Sequence, residues 1–339
     1  MKKAKIQDIA DSLNISRVTV WKVFNNKEGV SEEMRQRVLQ CAAQMEYQYS
    51  VFQNATLPET APQQILVSVV VSRPESSSFW IKTIHELAEE FSEKGIGLMY
   101  TYLPSDIQEG YVLPSSLTAG NLHGIIVMNV YEAKMIQMLN ELPMPKVFLD
   151  IVSDMSIDIL KGDLMLLEGY FSVSEIVNTM IKSGRRKIGF IGDINYAKTN
   201  MERYEGFVAA MLQNGCKVDP TLCYTDSMRL HSYASIIENF VTRLPVMPEA
   251  FVCVNDHAAT MLLQCLESLG YKVPEDVAIS GYDDNNEFTY TKDLTTVQVN
   301  NKLLGKRLAK QLLYRMENPG FPYEVIYIRP KVVFRASTV

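Results

Sequence analysis

Between Ile6 and Phe24 apolar positions recur at helical spacing in two short bursts. Ile6, Ile9, Ala10 and Leu13 fall on one side of a first helix, with Asp8 and Asp11 on its polar side. Asn14 interrupts the pattern where the chain must turn, and asparagine tolerates the left-handed backbone better than most residues. Ser16 then offers an N-cap for a second helix whose inner face carries Val20 and Val23. Gly29 opens a loop, Ser31 caps a third helix, and Met34, Val38, Cys41, Ala42 and Met45 share one of its faces. This is the pattern of a helix-turn-helix, whose second helix enters the DNA major groove. By helical spacing the outward face of that second helix is Arg17, Val18, Trp21 and Lys22.

From Tyr47 to Gln64 the periodicity fails and Pro58 and Pro62 appear, so this stretch reads as a linker. From Ile65 onward strands and helices alternate. ILVSVVV is a continuous apolar run of the kind a buried parallel strand shows. A helix over 79–94 stops at Gly95, and IGLMYTY, GIIVM and PKVFLD supply further strands. A second series starts near Leu164, with a helix over 174–182, the strand IGFIG and a helix over 201–213. AFVCV, a helix over 258–269 and VAISG continue it. Two successive βα series predict an α/β chain: an all-α helix-turn-helix head followed by two doubly wound parallel-sheet subdomains with a cleft between them.

The 339 residues, 47% of them hydrophobic, suffice for large cores. The five cysteines lie scattered without a CxxC pair, as expected for reduced thiols of a cytoplasmic protein. MKKAK leads into Gln7 and Asp8 rather than an apolar segment, so no signal peptide is expected, and no apolar run suggests a membrane span. The net charge of −6 argues against nucleic acid until its distribution is considered. Residues 1–50 hold eight basic and six acidic side chains, a net of +2, which leaves −8 on the rest. A mildly basic head on an acidic body permits local phosphate contact without indiscriminate adhesion to DNA. No GxGxxG follows a strand, no GxxxxGK[ST] or GxSxG is present, and the four histidines are far apart. The chain is therefore not expected to be an enzyme, nor to need a metal or cofactor.

The run AKIQDIADSLNISRVTVWKVFNNKEGVSEEMRQRVLQCAAQMEY resembles the DNA-binding domain of the lactose-repressor (LacI/GalR) family. SGRRKIGFIGD, NMERYEGFVAAM, FVCVNDHAA, VPEDVAISGYDD with LTTVQVN, and KVVFRAST resemble that family's core motifs, in the same order. The resemblance implies a periplasmic-binding-protein-like core and a DNA surface formed by Ser16, Arg17, Val18, Trp21, Lys22 and Asn25. Trp21 stands where the family has a small serine. The family's hinge inserts a leucine into the minor groove, but SVFQNATLPET departs from its usual run, which leaves Phe52 or Leu57 as the wedge, or a plain flexible linker.

For the core, the resemblance places Arg203 and Asp283 against a small-molecule effector, and Asn255 beside it, with Asp256 as the cap of the following helix. Phe79 and Trp80 either stack on the ligand or pack beneath their own helix, and Asn129 and Tyr131 are weaker candidates. Glu168 stands where the family has a cleft-side aspartate. The implied division is a head over 1–49, a hinge over 50–64 and a core over 65–339. Within the core, 65–163 and 295–322 form the first subdomain, and 164–294 and 323–339 the second. The expected function is a homodimeric repressor whose affinity for operator DNA answers to a carbohydrate-like effector. A solute-binding protein for transport shares the core fold but has no use for a helix-turn-helix.

Overall fold

The computed structural model describes residues 6–24, 27, 29–45, 65–72, 78–228, 232–284 and 292–338. They belong to two compact units, Met1–Gln63 and Gln64–Val339. In the first, α1 (Ile6–Leu13), α2 (Arg17–Phe24) and α3 (Glu32–Gln44) enclose a small core in which Ile9, Ala10, Val20 and Val38 are all 0% exposed. Asn14 adopts φ +52°, and Ile15 N donates to Ala10 O at 3.0 Å, which closes the turn expected there. Both anticipated caps form: Ser16 Oγ accepts from Thr19 N at 3.0 Å and Ser31 Oγ from Met34 N at 3.3 Å. Arg35 on α3 donates to Val23 O and Lys27 O, each at 3.2 Å, satisfying carbonyls at and beyond the end of α2.

The second unit contains β1 (Leu66–Val71), α4 (Ser78–Ser92), β2 (Gly97–Tyr102), α5 (Ser115–Thr118), β3 (Gly124–Met128), α6 (Ala133–Asn140), β4 (Lys146–Leu149) and β5 (Asp163–Leu167). These are followed by α7 (Tyr170–Lys182), β6 (Ile188–Ile191), α8 (Lys198–Gln213), β7 (Cys223–Tyr224), α9 (Tyr233–Thr242), β8 (Ala250–Cys253), α10 (Asp256–Ser268) and β9 (Ala278–Ser280). The chain ends with β10 (Thr296–Gln298), α11 (Asn301–Glu317), β11 (Val325–Ile328) and β12 (Lys331–Val333). One six-stranded parallel sheet runs β11-β5-β4-β3-β1-β2, and a four-stranded parallel sheet runs β7-β6-β8-β9. β10 and β12 form an antiparallel pair, and bridges from Ser280 to Thr295 and from Asp283 to Gln298 join it to the β9 side.

Burial on both faces explains the apolar runs. Val67, Val69 and Val71 of β1 pack toward Leu87 and Phe91 of α4, while Val70 joins Ile125, Val127 and α6 on the other face. Beneath the first sheet Arg315 pairs with Asp163 at 2.7 Å, with side-chain exposures of 2% and 0%. Gln311 and the Glu324 backbone N–H bond the same carboxylate, so this buried charge is fully engaged.

Three assignments differ from expectation. LML of 164–166 was to open the second subdomain, yet it lies in β5, inside the first sheet; VIYI, expected in the second, is β11 at the first sheet's edge. β10, assigned to the first, lies on the second. The chain therefore passes between the sheets after β5, between β10 and α11, and between β11 and β12. An apolar run reports burial on two faces; it carries no information about which sheet a strand joins. No described helix is long and apolar enough to cross a membrane.

Candidate functional site

On the head, α2 turns Val20, Val23 and Phe24 inward and leaves Ser16, Arg17, Val18 and Trp21 exposed, with Lys22 half-buried. Val18 is 61% and Trp21 48% exposed, as the helical spacing predicts. Ser16 is occupied locally, since its hydroxyl caps the helix and meets Thr19 Oγ1 at 2.8 Å. Asn25, Phe52 and Leu57, also expected at a DNA surface or hinge, lie outside the described residues.

In the core, the carboxyl ends of strands from both sheets converge on a cavity of about 140 Å3, the place where open α/β sheets bind ligands. Arg203 lies in the second turn of α8, 5% exposed, with its guanidinium 3.5 Å over the Tyr282 ring. Its Nη1 donates to Val254 O at 2.7 Å, but its buried Nε has no hydrogen-bond partner among the described residues. Tyr282 is fixed in turn, its hydroxyl donating to Glu168 O at 2.6 Å. Asp283 brings its carboxyl to the same cavity from just past β9, on a backbone with φ +113°. Burial pushes that carboxyl up to about 6 against the opposing pull of Arg203.

Two more lining residues, Asn129 and Asp150, also sit in the left-handed region, with φ of +55° and +66°. Non-glycine residues rarely adopt it, and three at one cavity mark a wall shaped by its backbone. Why a glycine follows Arg203 on α8 is also visible: a Cβ at Gly206 would overlap the Tyr170 carbonyl, so only glycine lets α8 approach α7 this closely.

Phe79 and Trp80 both line the cavity, in an edge-to-face pair with centroids 4.9 Å apart. Phe79 is also 6% exposed and packed in the core, the packing alternative, while it borders the cavity. Asn255 lines the cavity too, but its Oδ1 caps α10 by accepting from Ala258 N at 2.8 Å. That corrects the expected division, because Asp256 instead accepts from Thr296 Oγ1 at 2.7 Å and holds α10 to β10.

Glu168 is a second correction. Its carboxylate accepts from Phe171 N, from Ser172 N at 3.3 Å and from Ser172 Oγ at 2.8 Å, capping α7 away from the cavity. The extra methylene relative to aspartate lets the carboxylate reach the helix N–H groups.

Sequence reasoning missed Asp150, which ends the run PKVFLD. Its carboxylate accepts from Ile151 N at 2.9 Å, Thr199 N at 3.3 Å and Thr199 Oγ1 at 2.5 Å, while Lys198 N donates to Ile151 O at 2.8 Å. The first sheet thus supplies acceptors for the first turn of α8, a helix of the second. Burial raises the Asp150 carboxyl above the usual range, opposed by these bonds and by Arg203. Tyr131 and Tyr196 also meet across the cleft, with centroids 4.3 Å apart, and Tyr327 donates to Glu202 Oε1 at 2.7 Å. A strand-end aspartate could have been picked out from its position alone; Tyr196, Tyr233 and His257, in loops and first turns, could not. No cluster of three or more His, Cys, Asp or Glu side chains suited to a metal occurs among the described residues.

Comparison with known proteins adds two family matches. Residues 5–50 match the bacterial regulatory proteins of the lacI family, and residues 177–338 the periplasmic binding protein-like domain. The chain is 25% identical over 337 residues to the HTH-type transcriptional repressor PurR of Pasteurella multocida, with 98% of each chain covered. Among solved structures, a transcriptional regulator CelR–cellobiose complex aligns with a TM-score of 0.71 at 21% identity, covering 99% of this chain and 100% of that one. The Lac repressor dimer bound to operator and the anti-inducer ONPF aligns with a TM-score of 0.71 at 18% identity, over 100% of both chains.

Proposed function

We propose, from a head that matches the lacI family and a core that matches the periplasmic binding protein-like domain, that this chain is a LacI-family DNA-binding transcriptional repressor whose operator affinity is set by a small effector in the core cavity. The observation that carries the effector reading is the buried Arg203 Nε, which has no partner among the described residues, beside the Asp283 carboxyl. An N–H stripped of water and left unpaired costs free energy that a ligand oxygen recovers. One guanidinium donor and one carboxylate acceptor together suit a ligand bearing hydroxyls, and Trp80, Tyr131 and Tyr196 offer aromatic faces for its ring. The cellobiose held by CelR supports a sugar or related metabolite. The Lac repressor dimer on its operator supports a homodimer on a two-fold site with half-sites about one helical turn apart. Arg17 and Lys22 supply its guanine and phosphate contacts, and Phe79, Trp80 and Asn255 flank the effector.

The test is a thermal-shift screen of the purified chain against neutral sugars, uronates and purines, since a ligand at about 100 times its Kd stabilises by roughly 2.7 kcal/mol. The compound found is then titrated into Arg203→Ala and Asp283→Ala, and its effect on operator binding is measured. Each variant should lose affinity by on the order of 1–3 kcal/mol. Unchanged affinity in both would sink the assignment of the cavity.

A further inference from the structure

The helix that faces outward on the head has an unusual surface. α1 buries Ile9 and Ala10 and exposes Asp8 and Asp11, the ordinary division for a surface helix. α2 does not follow it. With Val20, Val23 and Phe24 already in the core, its outer side still presents Val18 at 61% and Trp21 at 48% exposure. These two lie three positions apart, so they adjoin on one face as a single apolar strip. Arg17 is exposed at one end and Lys22 stands half-buried at the other. A strip with cations at both ends, on a unit whose first 50 residues carry +2, matches a surface that is anionic at its edges and apolar between them. In a major groove the phosphates supply the first and the C5-methyl groups of thymine the second.

We propose that Val18 and Trp21 read the C5-methyl groups of thymines in each half-site, so that the operator is specified in part by apolar contact rather than by hydrogen bonds alone. The inference rests on the DNA-binding reading given above. Trp21 covers more than one base step, so the methyls it meets extend beyond the one beneath Val18. Arg17 and Lys22 then fix the register on guanine edges and phosphates.

Uracil isolates the effect, because it pairs as thymine does and keeps O4 but lacks the methyl. A site obtained by selection from random DNA is resynthesised with each thymine changed to uracil, and the affinity of the full chain is measured by fluorescence anisotropy. Uracil at the positions read should weaken binding about fourfold for each methyl, the equivalent of about 0.8 kcal/mol. Symmetric replacement in both half-sites should weaken it about fifteenfold. Val18→Ala and Trp21→Ser, both outside the head core, should each lose the penalty at their own positions while still binding the site. A site that tolerates uracil throughout, or penalties that persist in both variants, would overturn the inference and leave the DNA-binding reading standing. Recovery of no preferred site would overturn both.

Discussion

At Asp283 burial and charge oppose each other, and burial wins. The folded state holds this proton up to about pH 6, whereas the unfolded chain releases it near the ordinary aspartate value of 3.8. The native form therefore binds more protons between those values, and stability falls as pH rises through that window. Asp283→Asn removes the ionised group and tolerates the positive φ. We expect it to exceed the natural chain in stability by on the order of 1–3 kcal/mol at pH 7.5 and to match it near pH 4. Urea unfolding at the two pH values checks this; an equal difference at both would mean that the charge is not the cause. The residue accepts that instability at neutral pH, and an effector hydroxyl donated to the carboxylate would offset it.

The element on which the site turns is α8. It carries Arg203 in its second turn, and its first-turn N–H groups are satisfied from the opposite sheet by Asp150 and Ile151. Asp150 therefore acts as a cap supplied across the cleft. Asp150→Ala should lower stability by about 1–2 kcal/mol, as loss of a helix cap does. It should also weaken effector binding by allowing α8, and Arg203 with it, to shift. Calorimetry and solution scattering would show both effects, and a variant that melts and scatters like the natural chain would refute the cross-cleft role. Much at this scale was legible beforehand. Asn14, Ser16 and Ser31 announced the head's turn and caps, and Arg203 and Asp283, singled out from separate segments, border one cavity. What the sequence concealed was partnership: whether Glu168, Asn255 or Asp256 caps a helix or faces a ligand depends on a few tenths of a nanometre that no spacing encodes.

Over the whole molecule, every described residue of the cavity lies in the second unit. Residues 64–339 expressed alone should fold and bind the effector with unchanged affinity in the absence of DNA, which calorimetry on both lengths would establish. A large loss in the shortened chain would place part of the binding surface in the head. At this scale periodicity revealed two βα series but misassigned β5, β10 and β11, because sheet membership is decided by long-range pairing. One local arrangement reaches beyond natural regulation. Arg203 stacked on Tyr282, with Tyr282 tied to the Glu168 carbonyl, forms a floor whose parts hold one another in place. Trp80, Tyr131, Tyr196, Tyr233 and His257 are partly exposed rim groups. A biosensor engineer seeking a new analyte should randomise that rim and keep the floor, since a library that mutates both discards scaffold integrity along with the old specificity.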